Sequence, residues 1–168
     1  MKKAAGISLG GIFGLCILVG VSFAAEKFAY VDLSRIFSEY NKTKNFDKVL
    51  TDKENVYSTE REKKVNEIKV FQDKLGLLSD KEKDSRKAEL ESKVKSFQDY
   101  DRQKQTDLRK EQDEKMKEIL KDIEDAVKQY SEKEGYTLVF NDRVLVYQNK
   151  NLEITDKIID ILNKSYKK

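Results

Sequence analysis

The sequence predicts a mainly α protein with a small β body, in which a long antiparallel helical hairpin is carried by short strands from both ends of the chain. Three observations predict it. Between about residues 41 and 134 the chain is dominated by Lys, Glu, Asp, Gln, Ser and Leu, with Gly76 as its one glycine and sparse apolar residues at helical spacing. Midway through that stretch, a helix-stop signal is followed at once by a helix-start signal. Outside it, segments rich in Phe, Tyr and Val near both ends read as strands.

The first element is a secretory signal over residues 1–24. Lys2 and Lys3 make a positive start, Ile7 to Val21 carry no charge, and Ser22 and Ala24 occupy the −3 and −1 positions of a cleavage site. Cleavage is expected after Ala24, with Ala25 as the alternative. The apolar run of about 15 residues falls short of the roughly 20 that span a bilayer, which disfavours an uncleaved anchor, and no stable membrane insertion is expected after cleavage. A lipid anchor on Cys16 is disfavoured, because Leu15 stands where a small residue is needed. Loss of the signal removes Cys16, the single cysteine, and leaves a chain without Cys, His, Trp or Pro. Disulfides and a zinc site are then out of reach, and stability must come from packing and association.

The arm, residues 41–134, carries its apolar residues in a narrow seam. On the first half these are Phe46, Val49, Leu50, Tyr57, Val65, Ile68, Phe71, Leu75 and Leu78. On the second they are Leu90, Val94, Phe97, Leu108, Met116, Ile119, Ile123, Val127 and Tyr130. Spacings of three, four and seven dominate, as in a coiled coil. A turn is expected near residues 76–80. Gly76 suits a helix C-terminus, where a positive φ is often needed. Ser79-Asp80-Lys81-Glu82 fits a capping box with Ser79 as N-cap and Glu82 at N3. The rival is a single rod of about 140 Å at 1.5 Å per residue. Charged residues at seam positions, among them Lys53, Lys64, Asp101 and Lys104, predict arms that bend and splay easily.

The remaining elements form the body, residues 25–40 and 135–168. Lys27-Phe28-Ala29-Tyr30-Val31-Asp32 is a first strand. Tyr136-Thr137-Leu138-Val139-Phe140, introduced by Gly135, is a second. Val144-Leu145-Val146-Tyr147, after the turn-like Asn141-Asp142-Arg143, is a third and is expected to pair with the second as a β-hairpin. Thr155 is expected to cap a final helix, with Ile154 and Ile159 as a hydrophobic staple and Ile158, Ile161 and Leu162 on its buried face. Lys164, Lys167 and Lys168 suit that helix's C-terminal end. An isolated hairpin is marginal in water, so the first strand should join it, which requires the arm to fold back on itself. So small a core, without disulfide or metal, points to association of the strand-bearing ends into a homo-oligomer.

Charge and composition exclude several functions. After loss of Lys2 and Lys3, 32 basic residues face 31 acidic ones. The signs are interspersed, unlike the one-sided basic patch of a nucleic-acid binder, so no nucleic-acid partner is expected. No P-loop, Gly-rich phosphate cradle or metal-ligand cluster occurs. Without His or Cys, most nucleophilic and acid–base arrangements are unavailable, and thin exposed helices do not desolvate a carboxylate pair. No enzyme activity and no cofactor are expected.

Lys27 to Phe37 at one end, and Gly135 to Phe140, Val144 to Tyr147 and Ile154-Thr155 at the other, resemble the Skp (OmpH) family in order and chemistry. The likeness covers about residues 25–168. It implies a periplasmic homotrimer with a β-rich core built from the strands of three subunits, carrying three helical hairpins. It further implies an ATP-independent holdase, which keeps unfolded outer-membrane β-barrel proteins soluble in the cavity between the arms until insertion. Strongly basic arm tips, which some members use to approach lipopolysaccharide, have no counterpart here. From Glu60 to Tyr100 there are eleven basic and ten acidic residues. A net charge this small gives little attraction beyond the screening length of about 8 Å.

Candidate residues follow from both arguments. Tyr57, Phe71, Phe97 and Tyr100 are candidates for client contact, against a plainer role for the aromatics as filling of the hairpin seam. Phe28, Tyr30, Val31, Leu138, Val139, Phe140, Val144 and Val146 are candidates for the oligomerisation body. The alternative function is a structural coiled-coil spacer or tether of the cell envelope, which would share the signal, charge and heptads but would have no need for strands that pair across the chain.

Overall fold

The structure, a computed structural model, describes residues 26–166. The expected signal, with Ala24 and Ala25, lies outside the described residues, as do Lys167 and Lys168. The elements run β1 (Phe28–Val31), α1 (Leu33–Glu39), α2 (Asn41–Gly76), α3 (Asp80–Glu134), β2 (Leu138–Asn141) and α4 (Thr155–Ser165). Strand β1 lies beside β2 in parallel, Phe28 opposite Leu138 and Val31 opposite Asn141. Parallel strands need a crossover, and here the crossover is the entire helical hairpin. The sheet and the core therefore draw on both described ends.

The two long helices form the hairpin and not the rod. Cross-links between α2 and α3 run in opposite sequence directions, from Lys42–Glu118 through Lys53–Glu111 to Arg61–Asp101. The reversal falls at Leu77–Ser79, where the Glu82 carboxylate accepts from the Ser79 N–H at 3.2 Å and from the Ser79 hydroxyl. Those two bonds, the hydroxyl's first, hold the Glu82 carboxyl below its ordinary range. Gly76 serves differently from the expectation. It is the last residue of α2 and has no positive φ; the left-handed position is Gly135 (φ 74°), which ends α3 and lets the Tyr136 N–H reach the Ser131 carbonyl.

The body buries Ala29, Val31, Ile36, Tyr40, Ile119, Ile123, Ala126, Ile154, Ile158, Ile159 and Leu162 in one cluster. Each of β1 and α1–α4 except α2 supplies a member, and α2 adds the half-buried Phe46. The Asp32 side chain caps α1 by accepting from the Arg35 N–H at 2.8 Å. At the α1–α2 junction, Asn163 of α4 satisfies both loose ends: its Oδ1 accepts from the Asn41 N–H, and its Nδ2 donates to the Glu39 carbonyl.

Two local expectations are corrected. Val144–Tyr147 is not a strand and forms no hairpin with β2. Asn141 Oδ1 faces the Arg143 N–H, and a 3-10 turn over Asp142–Val144 leads the chain away, leaving Val144, Val146 and Tyr147 exposed. The place beside β1 is taken by a bridge between Tyr30 and Glu153, and the Ile154 N–H donates to the Tyr30 carbonyl at 3.0 Å. Thr155 does not cap α4; Ile154 is the N-cap residue. The buried Thr155 hydroxyl oxygen instead accepts from the Asp32 N–H at 2.9 Å, tying α4 to the end of β1. Ile154 and Ile159 are both buried, and so are Ile158 and Leu162.

Candidate functional site

The arm changes character along its length. At its root, Lys42 sits between Glu118 and Asp122 at 2.6 Å from each, and the Tyr40 hydroxyl donates to Asp122 at 3.1 Å. Burial would lower the Lys42 pKa, but hydrogen bonds to Asp122 and Glu118 outweigh it and raise the value. Hydrogen bonds from Lys115 and Lys42 pull the Glu118 carboxyl down to about 2, and burial with the Asp122 bond pushes the Tyr40 phenol up to about 12. This neck cluster ties α1, α2 and α3 where the arm leaves the body.

In mid-arm the seam is polar. Lys53 meets Glu111 at 2.5 Å. The Tyr57 hydroxyl donates to Asp101 at 2.6 Å and accepts from Gln105, and Arg61 donates to the same Asp101 oxygen at 3.0 Å. The Tyr100 hydroxyl donates to the Glu60 carboxylate, which with burial pushes its pKa up to about 12. Lys64 stands 4.7 Å and Lys104 5.9 Å from the centre of the Tyr100 ring. Of the charges that spoil the heptads, Lys53 and Asp101 are thus paired across the hairpin, Lys64 lies over the Tyr100 ring across it, and Lys104 lies over the same ring from its own helix. Toward the tip Ile68, Phe71, Leu75, Leu78, Leu90, Val94 and Phe97 return the seam to apolar packing, all half-buried.

Tyr57, Phe71, Phe97 and Tyr100 are half-buried in or beside this seam, so each offers only an edge to solvent. Phe71 lies under Lys93, 5.4 Å from its ring, and Phe97 under Arg61 at 5.8 Å. Val49, Val65 and Met116, read as seam residues from their spacing, are exposed. A different row was missed. Val49, Val56, Val70 and Leu77 are 39%, 58%, 51% and 88% exposed and, with Lys63 between them, recur every seventh residue along α2 to the residue just past its end. Each immediately precedes a member of the seam row Leu50, Tyr57, Lys64, Phe71, Leu78. Seven-residue spacing was the available signal; adjacency to the seam hid it.

The body residues divide into two groups. Val31 is buried in the chain's own core, with half-buried Val139 packed against it. Tyr30 is also buried, its phenol pKa raised by burial first and then by Glu153. Phe28, Leu138 and Phe140 lie on the sheet face opposite Val31 and Val139, the face that also carries Tyr30, and stay exposed, the Phe28 and Phe140 rings 6.5 Å apart. Val144 and Val146 are exposed on the following connection, with Tyr147 and Leu152. That is a concentration of apolar side chains left open on one small body. Among the described residues no group of three or more His, Cys, Asp and Glu is arranged to hold a metal, and no helix is long and apolar enough to cross a membrane.

The likeness to known proteins runs through body and arm alike. The family model described as "Outer membrane protein (OmpH-like)" matches residues 27–162, from β1 into α4. A Yersinia enterocolitica protein named "Chaperone protein Skp" is 27% identical over 150 residues, covering 87% of this chain and 92% of the relative. The crystal structure of a candidate outer membrane chaperone (OmpH-like) from Caulobacter crescentus CB15 superposes with a TM-score of 0.76, covering 99% of this chain and 91% of that one at 11% identity. At that identity the superposition speaks for the fold.

Proposed function

Because the chain belongs to the outer membrane protein (OmpH-like) family, we propose that it is a periplasmic chaperone that holds unfolded outer-membrane β-barrel proteins soluble without ATP, between helical arms of a homotrimer. The observation that carries this is the division of labour between the regions: an arm with a polar, half-buried seam, on a body with an exposed apolar face. A body of this size gains from association, and Phe28, Leu138, Phe140, Val144 and Val146 are the side chains it leaves open for it. An arm held by paired charges can change its spacing at small cost, which suits clients of different size. The Yersinia relative's name supports the chaperone role, and the expected signal supports the compartment. Nothing in this role calls for a catalytic residue or a cofactor. Lipopolysaccharide is not among the proposed ligands, given the balanced charge of the distal arm.

The test is light scattering from a urea-unfolded outer-membrane β-barrel diluted into buffer with the mature protein. Suppression at a near-stoichiometric ratio to the oligomer, without ATP, is the expected result. Undiminished scattering with a well-folded sample, at every ratio tried, would leave the envelope spacer as the better account.

A further inference from the structure

We infer that the exposed row Val49, Val56 and Val70 on α2, continued by Leu77 just past its end, is the strip against which an extended apolar segment of an unfolded client lies. The inference rests on the holdase proposal and assigns it residues. The row's heptad positions run from near the neck to the tip in steps of about 10.5 Å, seven residues at 1.5 Å each, and Lys63 leaves a double step of about 21 Å between Val56 and Val70. Two shallow grooves lie along it. One, of about 450 Å³, is lined by Val49 and Val56 with the edge of Tyr57 and with Leu108 across the hairpin. The other, of about 630 Å³, has Val70 and the edge of Phe71 as its apolar lining, among polar residues from Thr59 to Lys74. Seam aromatics therefore form walls beside the strip, while the valines supply its open surface.

Three features decide the occupant. A partner helix, from a second copy or another protein, needs two adjoining apolar rows to make a seam. Here the positions three and four residues on are Asp52 and Lys53, Thr59 and Glu60, Asp73 and Lys74, all polar. Four partly exposed aliphatic side chains also fall well short of the ~800 Å² per partner that a stable protein pair buries. An extended chain needs only a line of contacts. Its same-side residues repeat about every 6.7 Å, so no single register satisfies steps of about 10.5 Å, and a segment can bind at many offsets. Such contact tolerates any sequence that presents apolar side chains. Around the groove nearer the neck, Asp52, Glu60, Asp107 and Glu111 outnumber Lys53 and Lys104, favouring apolar segments with interspersed basic residues over acidic ones.

The experiment uses the mature chain in its assembled state and a urea-unfolded outer-membrane β-barrel as probe. Replacing the row together (Val49→Thr, Val56→Thr, Val70→Thr, Leu77→Gln) is expected to weaken client binding at least about tenfold, which corresponds to about 1.4 kcal/mol. Oligomeric state and thermal unfolding should stay as in the parent. A photo-crosslinking residue in place of Lys63, within the row, should capture client, while one in place of Lys69, on another face of α2, should not. The crosslink requires no change to the valines and stands even if the fourfold variant folds poorly. Affinity within twofold of the parent, equal capture from both positions, or capture of another copy of this chain from position 63 would each overturn the assignment. A parent protein that fails to bind the probe at all would instead defeat the holdase proposal.

Discussion

Body and arm are built from the same chain by different rules. In the body, Ile36, Ile119 and Ile158 are fully buried, and the core draws on both described ends of the sequence. Beyond the neck, α2 and α3 bury no residue completely: the buried positions of α2 and α3 are Thr43, Ile119, Ile123 and Ala126, all near the body. Hydrophobic packing holds the one, while paired charges and half-covered aromatics hold the other. The difference teaches that a region can be regular in secondary structure and still be the weaker part, because helix regularity comes from local sequence whereas rigidity comes from burial.

The largest effect should come from the body. Ile158→Ala removes a fully buried side chain and is expected to cost about 2–5 kcal/mol, read as a lower urea midpoint with an unchanged slope. Phe71→Ala in the half-buried arm should cost clearly less, although it deletes more atoms; an equal or larger loss would remove the distinction between the two regions. The two glycines make a second contrast. Gly135→Ala places a side chain at φ 74° and should destabilise by roughly 1–2 kcal/mol. Gly76→Ala, in open space at the end of α2, should be neutral or stabilise by up to about 1 kcal/mol. Thermal unfolding of the pair reads both signs.

Acid should act at the neck before it reaches the core. Glu118 is held at about 2, below the ordinary value of roughly 4.3. Its contribution is present above that ordinary value and is lost as pH falls toward 2. Hydrogen-exchange protection around residues 40–46 and 115–123, corrected for the intrinsic pH dependence of exchange, should therefore fall between about pH 5 and pH 2, and Glu118→Gln should flatten the change. The raised Lys42 and Tyr40 values act at the opposite end: their contributions are intact below the ordinary values and fall away above about pH 10. Smallest is the salt effect. Lys53–Glu111 and Arg61–Asp101 are part-exposed pairs worth about 0.2–1 kcal/mol each, so raising salt should speed mid-arm exchange slightly and leave the body unmoved.

How much of this was legible in the sequence followed the range of the forces. The capping box at Ser79 and Glu82 was readable because its partners are three residues apart. The hairpin was readable from one stop beside one start. The parallel partner of β1 was not, since Phe28 and Leu138 are 110 positions apart and no local pattern sets their register. Val144–Tyr147 has strand composition, but composition cannot say whether a neighbouring edge is free, and Glu153 and Ile154 had taken the one beside β1. Thr155 looked like a cap because hydroxyls commonly are; its bond to Asp32 depends on a chain reversal that spacing does not record. At the candidate site, heptads located the seam and its charges, whereas the exposed row beside it could be told from the seam only by burial.

The pairing of β1 with β2 also sets an order of events. Synthesis delivers the N-terminus first, so β1 is expected to wait unpaired while α2 and α3 emerge and meet. Closure comes only when Leu138–Asn141 and α4 arrive. A chain cut before Leu138 is expected to retain helical circular dichroism and to lack a cooperative unfolding transition. Residues 138–165 are thus expected to act as a completeness check: without them β1 has no partner strand and the core lacks Ile154, Ile158, Ile159 and Leu162.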